Sequence, residues 1–154
     1  MNVLFICLGN ICRSPMAEGI LKKMYHDFGI KATVESAGFE SFHINDNPDP
    51  RAIQVAAKHN IDLSEKKARL FLKSDFDRFD HIYVMDTQNM GDVTDLVRSD
   101  SDLKKVDYLM NVIEPGSNKV ISDPFLSGIE DCEKVFNTLW KACQQIAKNA
   151  KQNL

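Results

Sequence analysis

A chain of 154 residues, 44% hydrophobic and 27% charged, holds enough apolar material for one domain spanning residues 1–154 with its own core, unaided by disulfides or metal. A formal net charge of −3 argues against a nucleic-acid partner, which calls for a basic stripe. The longest apolar run, Val3 to Leu8, is too short to cross a bilayer and follows no basic segment, so the expectation is a cytoplasmic protein without a membrane partner.

Val3 to Cys7 mixes β-branched and aromatic residues in one apolar run, which reads as a strand covered on both faces. It runs into the stretch Cys7-Leu-Gly-Asn-Ile-Cys-Arg-Ser-Pro15. Beyond it, Met16, Ala17, Ile20, Leu21 and Met24 recur at helical spacing, with Ser14 as the expected N-cap, Pro15 at the first helical position and Gly29 as the stop. Thr33 to Ser36 is a weaker second strand, and Asp49-Pro50 opens a helix reaching towards Asn60. His81 to Met85 reads as a third strand, followed by a helical segment from about Thr87 to Val97, and Val106 to Met110 reads as a fourth. Asp92, Asp95, Asp100 and Asp102 are expected on a solvated face. After a loop over residues 114–127, a last helix repeats apolar residues from Ile129 to Ile146, and Lys148 to Leu154 reads as a frayed tail. Alternating strands and helices predict an α/β fold with a doubly wound parallel sheet, whose ligands bind beyond the carboxyl ends of the strands.

The cysteines at 7, 12, 132 and 143 lack C-x-x-C spacing, and the histidines at 26, 43, 59 and 81 cluster with none of them, so no metal site is expected. In a reducing compartment they are thiols unless chemistry requires otherwise.

A tight turn between a buried strand and a helix can aim several backbone N–H groups inward over the positive end of the helix dipole, which makes a cradle for an oxyanion. Neither G-x-x-x-x-G-K-[ST] nor G-x-G-x-x-G occurs in the chain. The loop instead begins at Cys7 and closes at Arg13, a C-x5-R spacing that puts a thiol and a guanidinium on one ring of donors shared with Leu8, Gly9, Asn10, Ile11, Cys12 and Ser14. Such surroundings favour thiolate over thiol. They also suit a tetrahedral dianion, with the Arg13 fork bidentate to two oxygens, so that sulfur can attack phosphorus to give a phosphocysteine while the donors hold the charge. Gly9 and Asn10 are the residues best able to take left-handed angles in such a curl. The Ser14 hydroxyl can cap the helix, bond the thiolate, or do both. A buried cysteine beside a surface arginine is the plain alternative, and it leaves the Gly-Asn pair and the Ser-Pro helix start without a reason.

With these residues in place the chain resembles the low-molecular-weight protein tyrosine phosphatases. The likeness is carried by Cys7 to Pro15 and Met16-Ala-Glu18, then by Ser36-Ala-Gly38, Asp49-Pro-Arg51, Met85-Asp86 and Asp123-Pro-Phe125, in family order. It implies a flavodoxin-like sheet of four parallel strands with helices on both faces. It also implies a two-step hydrolysis of phosphotyrosine-containing proteins that needs no metal or cofactor, with Cys7 as nucleophile and Arg13 and the loop amides holding phosphate.

Two Asp-Pro pairs compete for the role of general acid. Asp49-Pro50 directly precedes a helical pattern, which capping explains; Asp123-Pro124 does not, and the resemblance assigns Asp123 as acid and then as base for water. Asp86 is expected to cap a helix at the edge of the crevice. The resemblance puts Phe42 and Phe125 on the walls of an aromatic slot, with core packing as the alternative for each, while His43 either supports that loop or sits at the surface. Relatives that hydrolyse phosphoarginine carry Thr where this loop has Ile11, so Ile11 favours phosphotyrosine. Many relatives have His where this chain has Lys66, so bracing of the loop through Asn10, Ser14 and Ser36 must differ here.

The resemblance gives Cys12 a redox role, a reversible disulfide with Cys7 that spares the nucleophile from over-oxidation; a loop-filling residue is the alternative. Cys132 and Cys143 are ~16 Å apart along one helix, too far to bridge each other, and are expected to pack in the core. Three other readings remain beside the main one: a phosphoarginine phosphatase, a thioredoxin-coupled arsenate reductase, and a non-catalytic phosphate-binding module. The arsenate reductase needs a downstream cysteine pair that is absent between Cys12 and Cys132, and the binding module does not explain Cys7, Arg13 and Asp123 together.

Overall fold

The computed structural model describes residues 1–125 and 127–154; Leu126, inside the loop expected over residues 114–127, lies outside them. In chain order the elements are β1 (Val3–Ile6), α1 (Arg13–Asp27), β2 (Val34–Ala37), α2 (Pro50–Ala57), α3 (Asp75–Arg78), β3 (His81–Val84), α4 (Thr87–Thr94), α5 (Asp100–Lys104), β4 (Val106–Tyr108) and α6 (Ile129–Gln152). Among the described residues the strands form one parallel four-stranded sheet in the order β2-β1-β3-β4. The doubly wound, flavodoxin-like α/β expectation is met.

Alternation along β1 supplies both cores. Val3 and Phe5 pack into the layer shared with α1, α2 and α6, while Leu4 and Ile6 face the layer that holds Phe71, Phe76 and Phe79. Chain order reverses across β1, with β2 on one side and β3 on the other. Ile6 pairs with both Ala37 and Val84, so the three strands end level and their following loops converge at this switch point.

Several boundaries differ from expectation. Helix α1 begins at Arg13, because the Cys12 carbonyl already accepts from Met16 N–H at 3.2 Å; Cys12 holds the N-cap position and Ser14 lies inside the first turn. At its other end Gly29 takes a left-handed φ of 68°, as a helix stop requires. Asp49 caps α2 as expected, accepting from Arg51 N–H at 2.8 Å. Helix α4 stops at Thr94 and the short α3 and α5 were not anticipated. Asp102 is not on the solvated face: it is buried and takes Arg98 Nε at 2.8 Å. The expected frayed tail from Lys148 is helical through Gln152, held by buried Ala147 and by Ala150 against the core.

Candidate active site

The loop from Cys7 to Ser14 curls between β1 and α1 because Asn10 takes a left-handed φ of 55° and its amide then locks the turn. Asn10 Nδ2 donates to Ser14 Oγ and to Ser36 Oγ, each at 2.8 Å, and Asn10 Oδ1 accepts from Arg69 N–H at 3.0 Å. Ser14 Oγ therefore receives a proton from Asn10 and turns its own towards Cys7 Sγ, 2.9 Å away. Ser14 N–H also points at the sulfur, at 3.5 Å. Of the two roles open to Ser14, the structure has the bond to sulfur and no side-chain cap.

A second layer holds this one. Ser36 Oγ donates to Glu18 Oε1 at 2.6 Å, and Lys66 Nζ approaches the same oxygen at 3.1 Å while donating to the Ser36 carbonyl at 3.3 Å. Lys66 thus braces the loop through the Glu18 carboxylate and the Ser36 backbone. Behind the loop, a Cβ on Gly38 would lie 2.8 Å from the Leu8 oxygen and 2.9 Å from the Asn10 nitrogen, so the close approach of β2's end to the loop demands glycine.

Arg13 is buried with its Nη1 donating to Asp86 Oδ2 at 2.8 Å and to the Ile121 carbonyl at 2.7 Å. Its Nη2 lies 3.7 Å from Asp123 Oδ2. Burial opposes its charge, but the Cys7 sulfur with Asp86 and Asp123 outweighs that and raises its pKa above the ordinary value. Asp86 caps α4 as expected, and its hold on Arg13 was missed by the sequence.

A cavity of about 260 Å³ opens above the loop, lined by Cys7, Gly9, Arg13, Asp123 and the rings of Phe42 and Phe125, with Leu8, Ile11 and Cys12 also on its wall. Core packing is excluded for both phenylalanines, since Phe42 is 73% and Phe125 44% exposed. His43 supports its loop: it bonds Asp46 Oδ2 through Nδ1 at 3.0 Å and lies flush with Gly9, where an added Cβ would meet the ring at 3.1 Å. Asp123 is fixed by accepting from Phe125 N–H at 3.0 Å. Its loop is tethered by Arg51, which bonds Asp49 and donates to the carbonyls of Phe125 and Ser127. That Arg51 clamp was also invisible in the sequence, where only the Asp49-Pro-Arg51 triplet stood out.

Cys12, on the cavity wall, and Cys132, in the first turn of α6, are buried in the same apolar core. The neighbouring Cys132 thiol, with burial, pushes the Cys12 thiol up, and Cys12 in turn pulls Cys132 down against the opposing effect of burial. Cys132 is in the core as expected, but it is also a neighbour of the loop. Cys143 packs as expected, its burial keeping the thiol protonated and its Sγ 3.6 Å from the Ala17 carbonyl.

A parallel sheet whose switch-point loop sets a buried arginine and a cysteine sulfur on the wall of an open pocket places the protein among α/β proteins with a site at the carboxyl ends of the strands. The family model described as low molecular weight phosphotyrosine protein phosphatase matches residues 2–154. The chain belongs to that family of hydrolases. It is similar to the low molecular weight phosphotyrosine protein phosphatase of Schizosaccharomyces pombe, 36% identical over 86% of this chain and 87% of the relative. The Homo sapiens protein of the same description is 33% identical over 97% and 95%. Among solved structures, a protein tyrosine phosphatase from Entamoeba histolytica superposes with a TM-score of 0.90 at 28% identity, covering 99% of this chain and 98% of its own. A Drosophila arginine phosphatase superposes with a TM-score of 0.89 at 28% identity, covering 97% and 98%.

Proposed function

We propose that residues 1–154 act as a single cytoplasmic phosphatase domain that hydrolyses phosphotyrosine in proteins through a phosphocysteine. The observation that carries this reading is that Cys7, Arg13 and Asp123 line one cavity, with the Ser14 hydroxyl 2.9 Å from the sulfur. Nothing in a plain phosphate-binding module calls for a carboxylate facing a thiol in that way.

The phosphate dianion enters between the loop N–H groups and Arg13, and the tyrosine ring lies between Phe42 and Phe125. Cys7 Sγ attacks phosphorus, the P–O bond to the ring breaks, and Asp123 gives its proton to the leaving phenolate. Charge on the three equatorial oxygens is held by donors already in place, with Arg13 fixed by Asp86. In the second step Asp123 takes a proton from water as it attacks phosphorus, and the sulfur leaves as a thiolate that the Ser14 hydroxyl and N–H stabilise. Cys12 serves as the reversible partner of Cys7 when the nucleophile is oxidised.

Ile11 lines the cavity and offers no hydroxyl to a guanidinium, which favours an aryl ester over phosphoarginine. The named arginine phosphatase among the structural relatives keeps phosphoarginine as the second reading. Parallel assays of phosphotyrosine, phosphoserine and phosphoarginine peptides with wild type and Cys7→Ser decide between them. Release from phosphotyrosine that disappears in Cys7→Ser is expected. Preference for phosphoarginine overturns the substrate, and an active Cys7→Ser enzyme overturns the mechanism.

A further inference from the structure

We infer that Asp75 is a positioning residue for the reaction: through Arg69 it fixes which way the Asn10 amide faces, and so whether the Ser14 hydroxyl donates to the Cys7 sulfur. The inference rests on the reading of Cys7 as the nucleophile and adds to it a residue of α3 that lines no part of the cavity.

Asp75 is fully buried, and donors occupy both of its carboxylate oxygens. Oδ2 accepts from Arg69 Nη1 at 2.9 Å and from Leu72 N–H at 2.8 Å, while Oδ1 accepts from Arg69 Nη2 at 3.1 Å and from Arg78 Nη1 at 3.4 Å. Arg69 is thus gripped bidentate, and its Nη2 also reaches Glu35 Oε1 on β2 at 3.1 Å. Arg78 bonds the other Glu35 oxygen, which closes a ring of two arginines and two carboxylates beside β2. Removing the buried carboxylate leaves both guanidiniums short of a partner.

This grip matters because little else holds the chain there. Among the described residues, 58–74 contain no helix and no strand, and their sheet-like pairing is a single isolated bridge between Leu70 and Gly38. The backbone of this segment nevertheless supports the site from two sides. Arg69 N–H donates to Asn10 Oδ1 at 3.0 Å, and the Arg69 carbonyl accepts from Gly38 N–H at 2.9 Å. Ala68 bonds Asn45 and Asp46, each at 2.9 Å, just beyond Phe42 on the cavity wall.

The order of protons follows from donors that cannot be reversed. A backbone N–H only donates, so the Asn10 atom facing Arg69 is oxygen and the amide NH2 must face Ser14 and Ser36. Ser14 Oγ already accepts from Asn10, which leaves its single proton for Cys7 Sγ, 2.9 Å away. With Arg69 displaced the amide can turn over, its oxygen takes the Ser14 proton, and the sulfur loses its hydroxyl donor. Ser36, committed to Glu18, holds the amide from the other side, so the loss is partial. Arg13 is set separately by Asp86 and the Ile121 carbonyl, and its hold on phosphate does not depend on this chain of bonds.

The test compares wild type with Asp75→Asn, Arg69→Lys and Arg78→Gln, and places Asp75→Asn also in a Ser14→Ala background. Melting temperatures are taken first, and variants at both ends of the Arg69 and Asp75 pair guard against a folding defect in either. The readouts are kcat on p-nitrophenyl phosphate and the inhibition constant of inorganic phosphate. Weakening one hydrogen bond is expected to lower kcat roughly five- to tenfold in Asp75→Asn and Arg69→Lys, with phosphate inhibition close to wild type. Arg78→Gln leaves Arg69 bidentate and is expected to keep wild-type kcat. In the Ser14→Ala background Asp75→Asn is expected to add less than about a twofold loss, because both changes act on the same bond to sulfur. Losses that multiply in the double variant, or a loss in Arg78→Gln equal to that in Asp75→Asn, overturn the inference and leave the reading of Cys7 intact. An active Cys7→Ser control, or a wild type without turnover, overturns both.

Discussion

Arg13 and Asp86, 73 residues apart in the chain, meet at 2.8 Å between Nη1 and Oδ2, and the other Asp86 oxygen caps α4 by accepting from Asn89 N–H at 2.9 Å. From a helix end, one carboxylate thus aims the guanidinium that we propose binds phosphate. Asp86→Asn keeps a capping oxygen but loses the charge, and Asp86→Ala loses both. A hydrogen bond to a charged group is worth about 1.5–3 kcal/mol, so both variants are expected to lower kcat/KM by roughly tenfold or more. Only the alanine variant is expected to lose a further ~1 kcal/mol of stability from the cap. Steady-state kinetics with urea unfolding separate the two effects; wild-type kcat/KM in Asp86→Asn shows that the Ile121 carbonyl alone suffices to place Arg13.

Asp123 lines the cavity half exposed, 3.7 Å from Arg13, and is the proposed general acid. General acid catalysis is typically worth about 10²–10⁴ in rate, and it matters most when the leaving group is basic. Asp123→Ala is therefore expected to lose most of its rate on phenyl phosphate and far less on p-nitrophenyl phosphate. A series of substituted aryl phosphates checks this, and equal losses along the series count against an acid at this position.

Gly38 is the close approach between the end of β2 and the loop. A methyl group there meets two backbone atoms at 2.8 and 2.9 Å, neither of which can swing aside as a side chain does. Gly38→Ala is expected to cost about 1–3 kcal/mol through overpacking and to displace the Leu8 to Asn10 segment, part of the proposed phosphate site. Weaker inhibition by inorganic phosphate together with a lowered melting temperature is the predicted pair of changes. Unaltered phosphate inhibition in a destabilised variant means that the strain is absorbed by β2 instead.

The Arg51 hydrogen bond holds the Asp49 carboxyl below the usual carboxylate range, against a smaller opposing effect of burial. Because its folded-state pKa lies below the ~3.9 of an unfolded aspartate, the pair stabilises the protein fully above about pH 5 and loses that contribution as pH falls through the folded value. Asp49→Asn keeps the cap and removes the titration. The stability gap between wild type and this variant is expected to shrink between about pH 5 and pH 3, as read by urea unfolding at several pH values. A gap that stays constant assigns the lowered pKa no part in stability.

The curled loop from Cys7 to Ser14 was legible from the sequence because its constraints are local. Cys7, Gly9, Asn10 and Arg13 are chain neighbours, and the strand before them and the helix after them are written in hydrophobic spacing. What the same residues do to one another was less so: Ser14 reads equally as a cap or as a partner of sulfur until Asn10 is seen to occupy its oxygen. The family resemblance picked out Asp123, Phe42 and Phe125, which no spacing rule connects to Cys7.

By itself the sequence determined a doubly wound sheet and a strand-to-helix loop holding a thiol and a guanidinium, because strand period, helix period and turn chemistry act between residues close in the chain. Only the tertiary structure decided that Asp86 aims Arg13, that Lys66 braces Ser36 through Glu18, and that Arg51 clamps the loop carrying Asp123. Each of those contacts joins segments brought together at the carboxyl ends of the strands. Polar and thiol side chains carry no periodic signal of their own, so their partners are set by how the helices pack on the sheet.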